Sequence, residues 1–301
     1  MADMAASVLA RLKNKAEETG RSNQLCLQLF CQEEFLRRLQ RSKYTENLIL
    51  KGGLFVYALT DFDSRVTVDV DFLLKNISNT PEKLRLVLED IIATETGNDF
   101  VTFEITKIEP IAVAKKHAGI GATVITRIKN TRTAFGVDFS IGDIVVPGQE
   151  KRQIPTQLDG FEAPVINTYS VETTIEEKLD AILFLVEFSS RMKDYYDILY
   201  LSQKLDFDGE VLKTAIEQTL ENRDRSFTQE QFEQLLVLGG DSAMRKKWTA
   251  FLKNVKGADD DFADMLESIG VFLREIVSSV FEKRPFTKEW SAINRKWRIK
   301  P

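Results

Sequence analysis

Histidine and cysteine are nearly absent from this chain of 301 residues. It has one histidine, His117, and two cysteines, Cys26 and Cys31. A single histidine excludes sites that need several imidazole ligands, and a zinc site of cysteine and histidine would be short of ligands. A Ser-His-Asp triad would have to use His117, and the chain has no G-x-S-x-G nucleophile turn. Two cysteines cannot form a disulfide framework, so we expect buried thiols in a reducing compartment.

Long hydrophobic runs are also missing. Apolar stretches such as 182–186 are far shorter than the ~18 residues that span a bilayer. The N-terminus lacks the basic segment and following apolar segment of a secretion signal, so we expect a cytoplasmic protein without a membrane partner. The net charge of −5 gives no chain-wide footprint for nucleic acid. Carboxylates and basic side chains are what remains to carry the chemistry.

The length of the chain predicts about two domains. The spacing of apolar residues divides the chain into three regions. Residues 1–45 are predicted to form helices packed on the core, with a break at Gly20 and Ser22. Residues 46–170 mix strands and helices, which predicts an α+β core with a mixed sheet. Residues 171–301 are predicted to form a helical C-terminal domain.

Two glycines and two aspartates form the first candidate site. Gly52-Gly53 follows a short apolar run ending in Lys51 and precedes a helix, where backbone can approach a phosphate. The alternating segment 65–72 predicts a strand with Asp69 and Asp71 on one face, close enough to share a divalent cation. The alternative is an edge strand with a solvated face beside an ordinary turn. The occurrence of both motifs together favours a site that binds a phosphate and a cation.

A third aspartate lies on a second predicted strand, 133–141. Asp138 is the one carboxylate on a face that otherwise carries Ala134, Gly136 and Ser140. A face kept this small leaves space for a ligand or a metal. The alternative is a partly exposed strand with Asp138 in water.

Two further candidates lie in predicted helices. Lys178 flanks the buried stripe of its helix, and most lysines in such positions reach solvent. A functional role for Lys178 therefore requires an anionic ligand nearby. Farther along the chain, Arg191, Asp194 and Asp197 follow one helical row, for which a salt-bridge ladder within the helix is the simplest interpretation.

The last segment, 283–301, is strongly basic. It has Glu289 as its one acidic residue and also contains Trp290 and Trp297. Such a patch can bind RNA, with tryptophans stacking on bases. The alternative is a solvated terminal helix whose tryptophans pack on the core. The basic residues are Lys283, Arg284, Lys288, Arg295, Lys296, Arg298 and Lys300.

Taken in order, these motifs resemble one known family. The matching segments are Ser7–Leu12, Phe35–Leu39, Ile49–Leu54, Val68–Phe72, Val137–Asp143, Glu176–Lys178 and Ser190–Asp197. Each motif is weak alone, but the ordered set, over about residues 7–205, is specific. It resembles the AbiEii/AbiGii-type toxins, nucleotidyltransferases of bacterial type IV toxin–antitoxin and abortive-infection systems.

The resemblance implies a polymerase-β-like nucleotidyltransferase fold, in which a Gly-Gly turn cradles a triphosphate and strand carboxylates hold Mg²⁺ or Mn²⁺. One departure is Leu54, since the wider superfold often has a serine after the glycine. The residues carried over are Gly52, Gly53, Arg65, Lys178, Arg191 and Asp197 for the nucleotide, Asp69, Asp71 and Asp138 for the metal, and these three aspartates with Lys178 and Asp194 for catalysis.

The implied reaction is attack of an acceptor hydroxyl on the α-phosphate of an NTP, with release of pyrophosphate. The resemblance favours RNA as the acceptor, notably the tRNA 3′ end, whose blockage inhibits growth. It also implies a cognate antitoxin. The alternatives are transfer to a hydroxyl of a protein or a small molecule, and a non-catalytic module that binds nucleotide.

Overall fold

The computed structural model describes residues 3–111, 119–184, 191–222, 227–255 and 258–300. His117 and Ser190 lie outside these ranges. The chain divides into two compact units. The N-terminal unit is Met1–Gly142 with Gln149–Tyr169, and the C-terminal unit is Asp143–Gly148 with Ser170–Pro301. The N-terminal helices thus belong to the same unit as the predicted core.

Two helices open the N-terminal unit, α1 (Met4–Thr19) and α2 (Asn23–Arg41). Gly20 ends α1 in the left-handed conformation, with φ of 66°. The Ser22 hydroxyl begins α2 by accepting a hydrogen bond from the main-chain N–H of Leu25 at 3.1 Å. The predicted break is confirmed. Cys26 and Cys31, both on α2, are buried free thiols as expected.

A mixed sheet forms the centre of the N-terminal unit. Its strands are β1 (Leu48–Lys51), β2 (Asp69–Leu74), β3 (Val101–Ile111), β4 (Gly119–Ile128), β5 (Thr131–Ser140), β6 (Glu150–Gln153) and β7 (Val165–Thr168). Their order across the sheet is β3-β4-β5-β2-β1-β7-β6, with β2·β5 and β1·β7 parallel. The helix α3 (Gly52–Leu59) follows β1, and α4 (Pro81–Ile92) follows β2. The predicted α+β class is confirmed.

The predicted strand over 65–72 is wrong in its first half, because β2 begins only at Asp69. Val68 is 50% exposed rather than buried. Its carbonyl accepts hydrogen bonds from the side-chain amides of Gln28 and Gln32 on α2. Side chains of a helix therefore satisfy this backbone group, and no strand is needed to do so.

Aromatic side chains fill the space between α2 and the sheet. The ring of Phe35 contacts those of Phe72, Phe103 and Phe135 at centroid distances of 6.1 to 6.4 Å. Phe72 of β2 also stacks on Phe139 of β5 at 6.2 Å. Side chains alternate across a strand, so the intervening residues of β2 and β5 point to the opposite face of the sheet.

Buried ion pairs anchor α2 in the N-terminal unit. The Arg37 guanidinium lies 3.1 Å from Glu33 and 3.1 Å from Glu34, and all three side chains are at most 4% exposed. Arg37 Nε also donates to the carbonyl of Glu162 at 2.6 Å. Burial raises the pKa of Glu33 to about 8, against the opposing effect of Arg37 and of the Gln157 N–H.

The C-terminal unit is mainly helical, as predicted. Its helices are α5 (Val171–Phe184), α6 (Met192–Lys204), α7 (Gly209–Asn222), α8 (Gln229–Leu236), α9 (Ser242–Leu252) and α10 (Phe262–Phe281). Four of them, α6, α7, α8 and α9, pack against α10. None of the helices in the described ranges is both long and apolar enough to cross a membrane.

The basic end of the chain is a small sheet and not a helix. β8 (Phe207–Asp208), β9 (Lys288–Ser291) and β10 (Lys296–Ile299) are antiparallel, in the order β10-β9-β8. The indole N–H of Trp290 donates to the carbonyl of Ser202 at 2.6 Å, and that of Trp297 to the carbonyl of Phe272 at 2.8 Å. Both rings pack on Phe272. Of the two alternatives for these tryptophans, packing on the protein is the one that the structure shows.

We expect Arg37→Met to destabilise the protein by about 3–5 kcal/mol at pH 9, because it removes the cation beside the buried, ionised Glu33, whereas Glu34 keeps its contact with Arg38. Arg41→Met is the control, since Arg41 and its partner Glu162 are 43% and 47% exposed, and it should cost under about 1 kcal/mol. Urea unfolding measures both values.

The loss for Arg37→Met should be larger at pH 9 than at pH 7. Because burial raises the pKa of Glu33 to about 8, the parent loses stability as the pH rises from the ordinary carboxyl range to about 8, and no more above it. Without the Arg37 guanidinium the pKa of Glu33 rises further, so the variant goes on losing stability above pH 8. Equal losses for Arg37 and Arg41 would contradict the account.

Candidate active site

Polar residues form a row across the sheet of the N-terminal unit. Asp71 of β2 lies directly opposite Asp138 of the parallel strand β5 and opposite Lys51 of the antiparallel strand β1. Tyr169, the residue after β7, donates its N–H to a carbonyl of β1 at 2.9 Å. Directly paired residues point to the same face, so the polar row reads Asp138, Asp71, Lys51, Tyr169. Asp69, two residues before Asp71, shares this face.

Glycines let two carboxylates lie directly against the backbone. A Cβ atom at Gly52 would come within 2.2 Å of Asp71 Oδ2, and one at Gly136 within 2.6 Å of Asp69 Oδ1. Carbon and oxygen atoms do not approach this closely without a bond, so a side chain at either position would displace a carboxylate. Position 136, on the same face of β5 as Asp138, therefore has no side chain because Asp69 of the neighbouring strand occupies that space.

The Gly-Gly turn has the local structure expected of a phosphate loop. Gly52 has φ of +68°, in the left-handed region that favours glycine. Gly52 begins α3, and Lys51 before it gives no side-chain cap. An uncapped helix N-terminus suits an anion. Leu54 is buried, so the position that often carries serine supplies no hydroxyl here.

The donor chemistry of this face suits a hard divalent cation. Asp69 is exposed, and Asp71 and Asp138 are half-buried. Within the described ranges, no group of three or more Asp, Glu, His or Cys is arranged to hold a metal alone. Mg²⁺ is commonly held by one or two carboxylates with water and substrate phosphates. Asp69 and Asp71 fit that pattern, and Asp138 remains a predicted third ligand.

A second group of charged residues lies in the C-terminal unit. Lys178 Nζ on α5 is 2.9 Å from Asp194 Oδ1 and 3.3 Å from Asp197 Oδ2 on α6. Arg191 Nε is 3.3 Å from Asp194 Oδ2. We call these four residues the Lys178 cluster. Lys178 is 7% exposed and the two aspartates are 2% or less, so the expectation that Lys178 reaches solvent is wrong.

The neighbouring carboxylates keep the Lys178 side chain protonated. Burial alone would lower the pKa of Lys178, but the charges of Asp197, Asp194 and Glu177 outweigh burial and raise it. Burial, with Asp194 beside it, raises the pKa of Tyr195. Lys178 is therefore cationic at neutral pH. Within α6 the predicted salt bridge of Arg191 to Asp194 is present, but the buried contacts link two helices.

The predicted site residues thus fall into two groups, one in each unit. The N-terminal group contains both glycines and all three aspartates of the predicted metal site, and the C-terminal group is the Lys178 cluster. Arg65 is half-buried in the irregular segment before β2. Sequence reasoning missed Tyr169, which no motif marks. It noted Lys51 only as the end of a strand, although a lysine closing an apolar run was a usable signal.

Gly52→Ala should cost more than Gly97→Ala in urea unfolding. Both glycines have positive φ, which costs alanine about 1–2 kcal/mol. A Cβ at Gly97 meets nothing within 4 Å, whereas at Gly52 it also displaces Asp71. We expect a further loss of about 1–3 kcal/mol there. Equal losses would mean that Asp71 does not press on the turn.

Lys178→Met should lower the free energy of unfolding by about 3–5 kcal/mol, because two buried carboxylates lose their common cation. Lys193→Met is the matched control on the exposed side of α6 and should stay within about 0.5 kcal/mol. Chemical denaturation of both variants measures the difference. A small effect at Lys178 would show that the aspartates are stabilised by other groups.

Comparison with known proteins points to one family. A family model described as nucleotidyl transferase AbiEii toxin, type IV TA system, matches residues 34–268. No curated protein matches the chain. Among solved structures, MenT4, a nucleotidyltransferase toxin from Mycobacterium tuberculosis H37Rv, is 14% identical with a TM-score of 0.52, covering 91% of this chain and 99% of that one. JHP933 from Helicobacter pylori is 14% identical with a TM-score of 0.47, covering 87% and 95%.

The likeness to MenT4 concerns the fold. The family match carries the identification, because it spans well over half of the chain and includes every candidate site residue from Gly52 to Asp197. This chain belongs to the AbiEii family of nucleotidyl transferase toxins of type IV toxin–antitoxin systems.

Proposed function

We propose that this toxin transfers a nucleotide from an NTP to an RNA acceptor in a reaction that requires Mg²⁺ and tolerates Mn²⁺. The observation that carries the proposal is the register that pairs Asp71 with Asp138, with the Gly52 turn against Asp71. Clustered carboxylates beside an uncapped, glycine-led helix suit a cation and a triphosphate together. Membership of the family implies a nucleotide substrate and an antitoxin partner.

The three aspartates have different proposed roles at the reacting centre. Asp69 and Asp71 would hold Mg²⁺, which would supply positive charge to offset that of the reacting phosphate oxygens. Asp138, next along the polar row, accepts the proton of the acceptor hydroxyl or serves as a third ligand. The N–H groups of the Gly52–Gly53 turn bind the phosphates. Positioning and charge stabilisation dominate phosphoryl-transfer chemistry, so the reaction needs no histidine.

For the Lys178 cluster of the C-terminal unit we propose a role in binding phosphate. The Arg191 side chain is 39% exposed and presents a guanidinium, which binds phosphate through paired hydrogen bonds. Lys178 is paired with both aspartates, so it fixes their positions, and Arg191 is the more exposed cation of the cluster. Asp194 contacts both Lys178 and Arg191, so we favour Asp194 over Asp197 as the functional acid.

We further propose that the acceptor is the tRNA 3′ end, in the cytoplasm, and that its modification inhibits growth. Exposed basic residues at the end of the C-terminal unit support an RNA contact. Of the seven basic residues after position 282, Lys288, Lys300 and Arg284 pair with carboxylates. The exposed remainder is Lys283, Arg295, Lys296 and Arg298. Because the tryptophans are packed inward, this contact involves phosphates and not stacked bases.

Labelled nucleotides test the reaction. The four NTPs, each labelled at the α-phosphate, are incubated in turn with the protein and total RNA, and at least one of them should transfer its label to RNA. When the same NTP is labelled at the γ-phosphate instead, the label should be released in pyrophosphate. Asp71→Asn should reduce transfer by at least about 10³-fold while keeping the fold, and the exposed Asp159→Asn is the control.

The same assay distinguishes the alternatives. Label in protein or in small molecules would replace RNA as the acceptor. Binding of NTP without any pyrophosphate release would identify a nucleotide-binding module. Full activity in Asp71→Asn would contradict the assigned metal pair.

The RNA surface is tested by charge removal, because deleting the segment would remove Trp290 from the core and Trp297 from its packing on Phe272. Arg295, Lys296 and Arg298 changed together to Gln should weaken RNA binding and lower the slope of log K against log salt by about 2. Exposed Lys193, Lys246 and Lys253 changed to Gln give the same loss of charge elsewhere in the unit. Equal effects of the two triple variants would rule out a specific basic surface.

A further inference from the structure

Lys51 lies in the polar row without a role in the chemistry described so far. Its side chain is buried, with 8% of the residue exposed. Its Nζ donates to Tyr169 Oη at 3.2 Å and lies 5.0 Å from the centroid of the Tyr169 ring. Tyr169 is itself fully buried. The phenol and ring orient the ammonium, but they do not supply a full negative charge to balance it.

A carboxylate faces Lys51 from the neighbouring strand. A buried ammonium costs several kcal/mol unless a carboxylate lies close by. Asp71 is directly opposite Lys51 across the β1·β2 pair, where Cβ atoms are about 4.5–5.5 Å apart. Asp71 Oδ2 also leans over Gly52, the residue after Lys51. The register therefore places the side chain of Lys51 next to that of Asp71, a predicted metal ligand.

We propose that Lys51 is a positioning residue that acts through Asp71. Its ammonium holds the Asp71 carboxylate in place in the cation-free protein and competes with a divalent cation for that carboxylate. Tyr169 keeps the ammonium on the side of the row away from Asp138 and so limits the competition. The inference rests on the proposed role of Asp71 as a metal ligand.

Two neighbouring substitutions should then have opposite effects. Lys51→Met removes the competing charge at nearly constant volume, and the free protein should bind Mn²⁺ about 5- to 10-fold more tightly. Tyr169→Phe keeps the ring but removes the hydroxyl, which releases the ammonium toward Asp71. Mn²⁺ should then bind about 3-fold more weakly. A purely structural role for the two residues would weaken binding in both variants.

The experiment is a titration of the full chain with Mn²⁺ alone, in which electron paramagnetic resonance measures the free ion. Lys51→Arg keeps the charge and should stay within about twofold of the parent. Thermal unfolding without metal checks that each variant is folded. Tighter Mn²⁺ binding by Lys51→Met together with weaker Mn²⁺ binding by Tyr169→Phe supports the inference. Shifts of the same sign, or no shift in either variant, overturn it.

Asp71→Asn separates this inference from the function it rests on. If Asp71→Asn leaves Mn²⁺ affinity unchanged, Asp71 is not a metal ligand, and both the proposed site and the role of Lys51 fail. If Asp71→Asn weakens binding while the Lys51 and Tyr169 variants do not diverge, only the role of Lys51 fails.

Discussion

The pairing register of β1, β2 and β5 is the constraint on which the N-terminal site depends. It places Lys51, Asp71 and Asp138 side by side, and a slip of one residue in β2 would turn Asp71 to the face where Phe72 now lies. The register is fixed from that other face, where Phe72 stacks on Phe139 and both strands pack beneath α2. The apolar core thus aligns the carboxylates from the opposite face of the sheet.

Both units keep charged side chains in the interior by pairing them. Arg37 is held between two glutamates on α2, and Lys178 between two aspartates on α6. Such pairs contribute little net stability, but the loss of one partner is costly, so they fix the geometry of the elements that carry them. In the family of nucleotidyl transferase toxins, this rigidity suits a site that works by positioning phosphates and cations. The acidic net charge of the chain is compatible with that chemistry, because the proposed site includes a cation.

Features that depend on neighbouring residues could be predicted from the sequence, whereas features that depend on contacts between distant residues could not. The helix break at Gly20 and Ser22, the Gly52 turn and the paired aspartates all follow from neighbouring residues and were predictable. The strand start at Asp69 was not, because the backbone of Val68 is satisfied by Gln28 and Gln32, some forty residues earlier. For the same reason the burial of Lys178 could not be predicted, since its partners lie on the next helix. The inward tryptophans were ambiguous, because their ring partner Phe272 is on α10.

The central claim is that Asp69 and Asp71 hold the divalent cation of a nucleotidyl transfer site. The most direct measurement is an anomalous difference map from crystals of the full chain soaked with Mn²⁺ and a non-hydrolysable NTP. We expect a peak in contact with carboxylate oxygens of both Asp69 and Asp71, with the triphosphate at the Gly52–Gly53 turn. A peak at other carboxylates, or a bound triphosphate with no metal at these two residues, would contradict it.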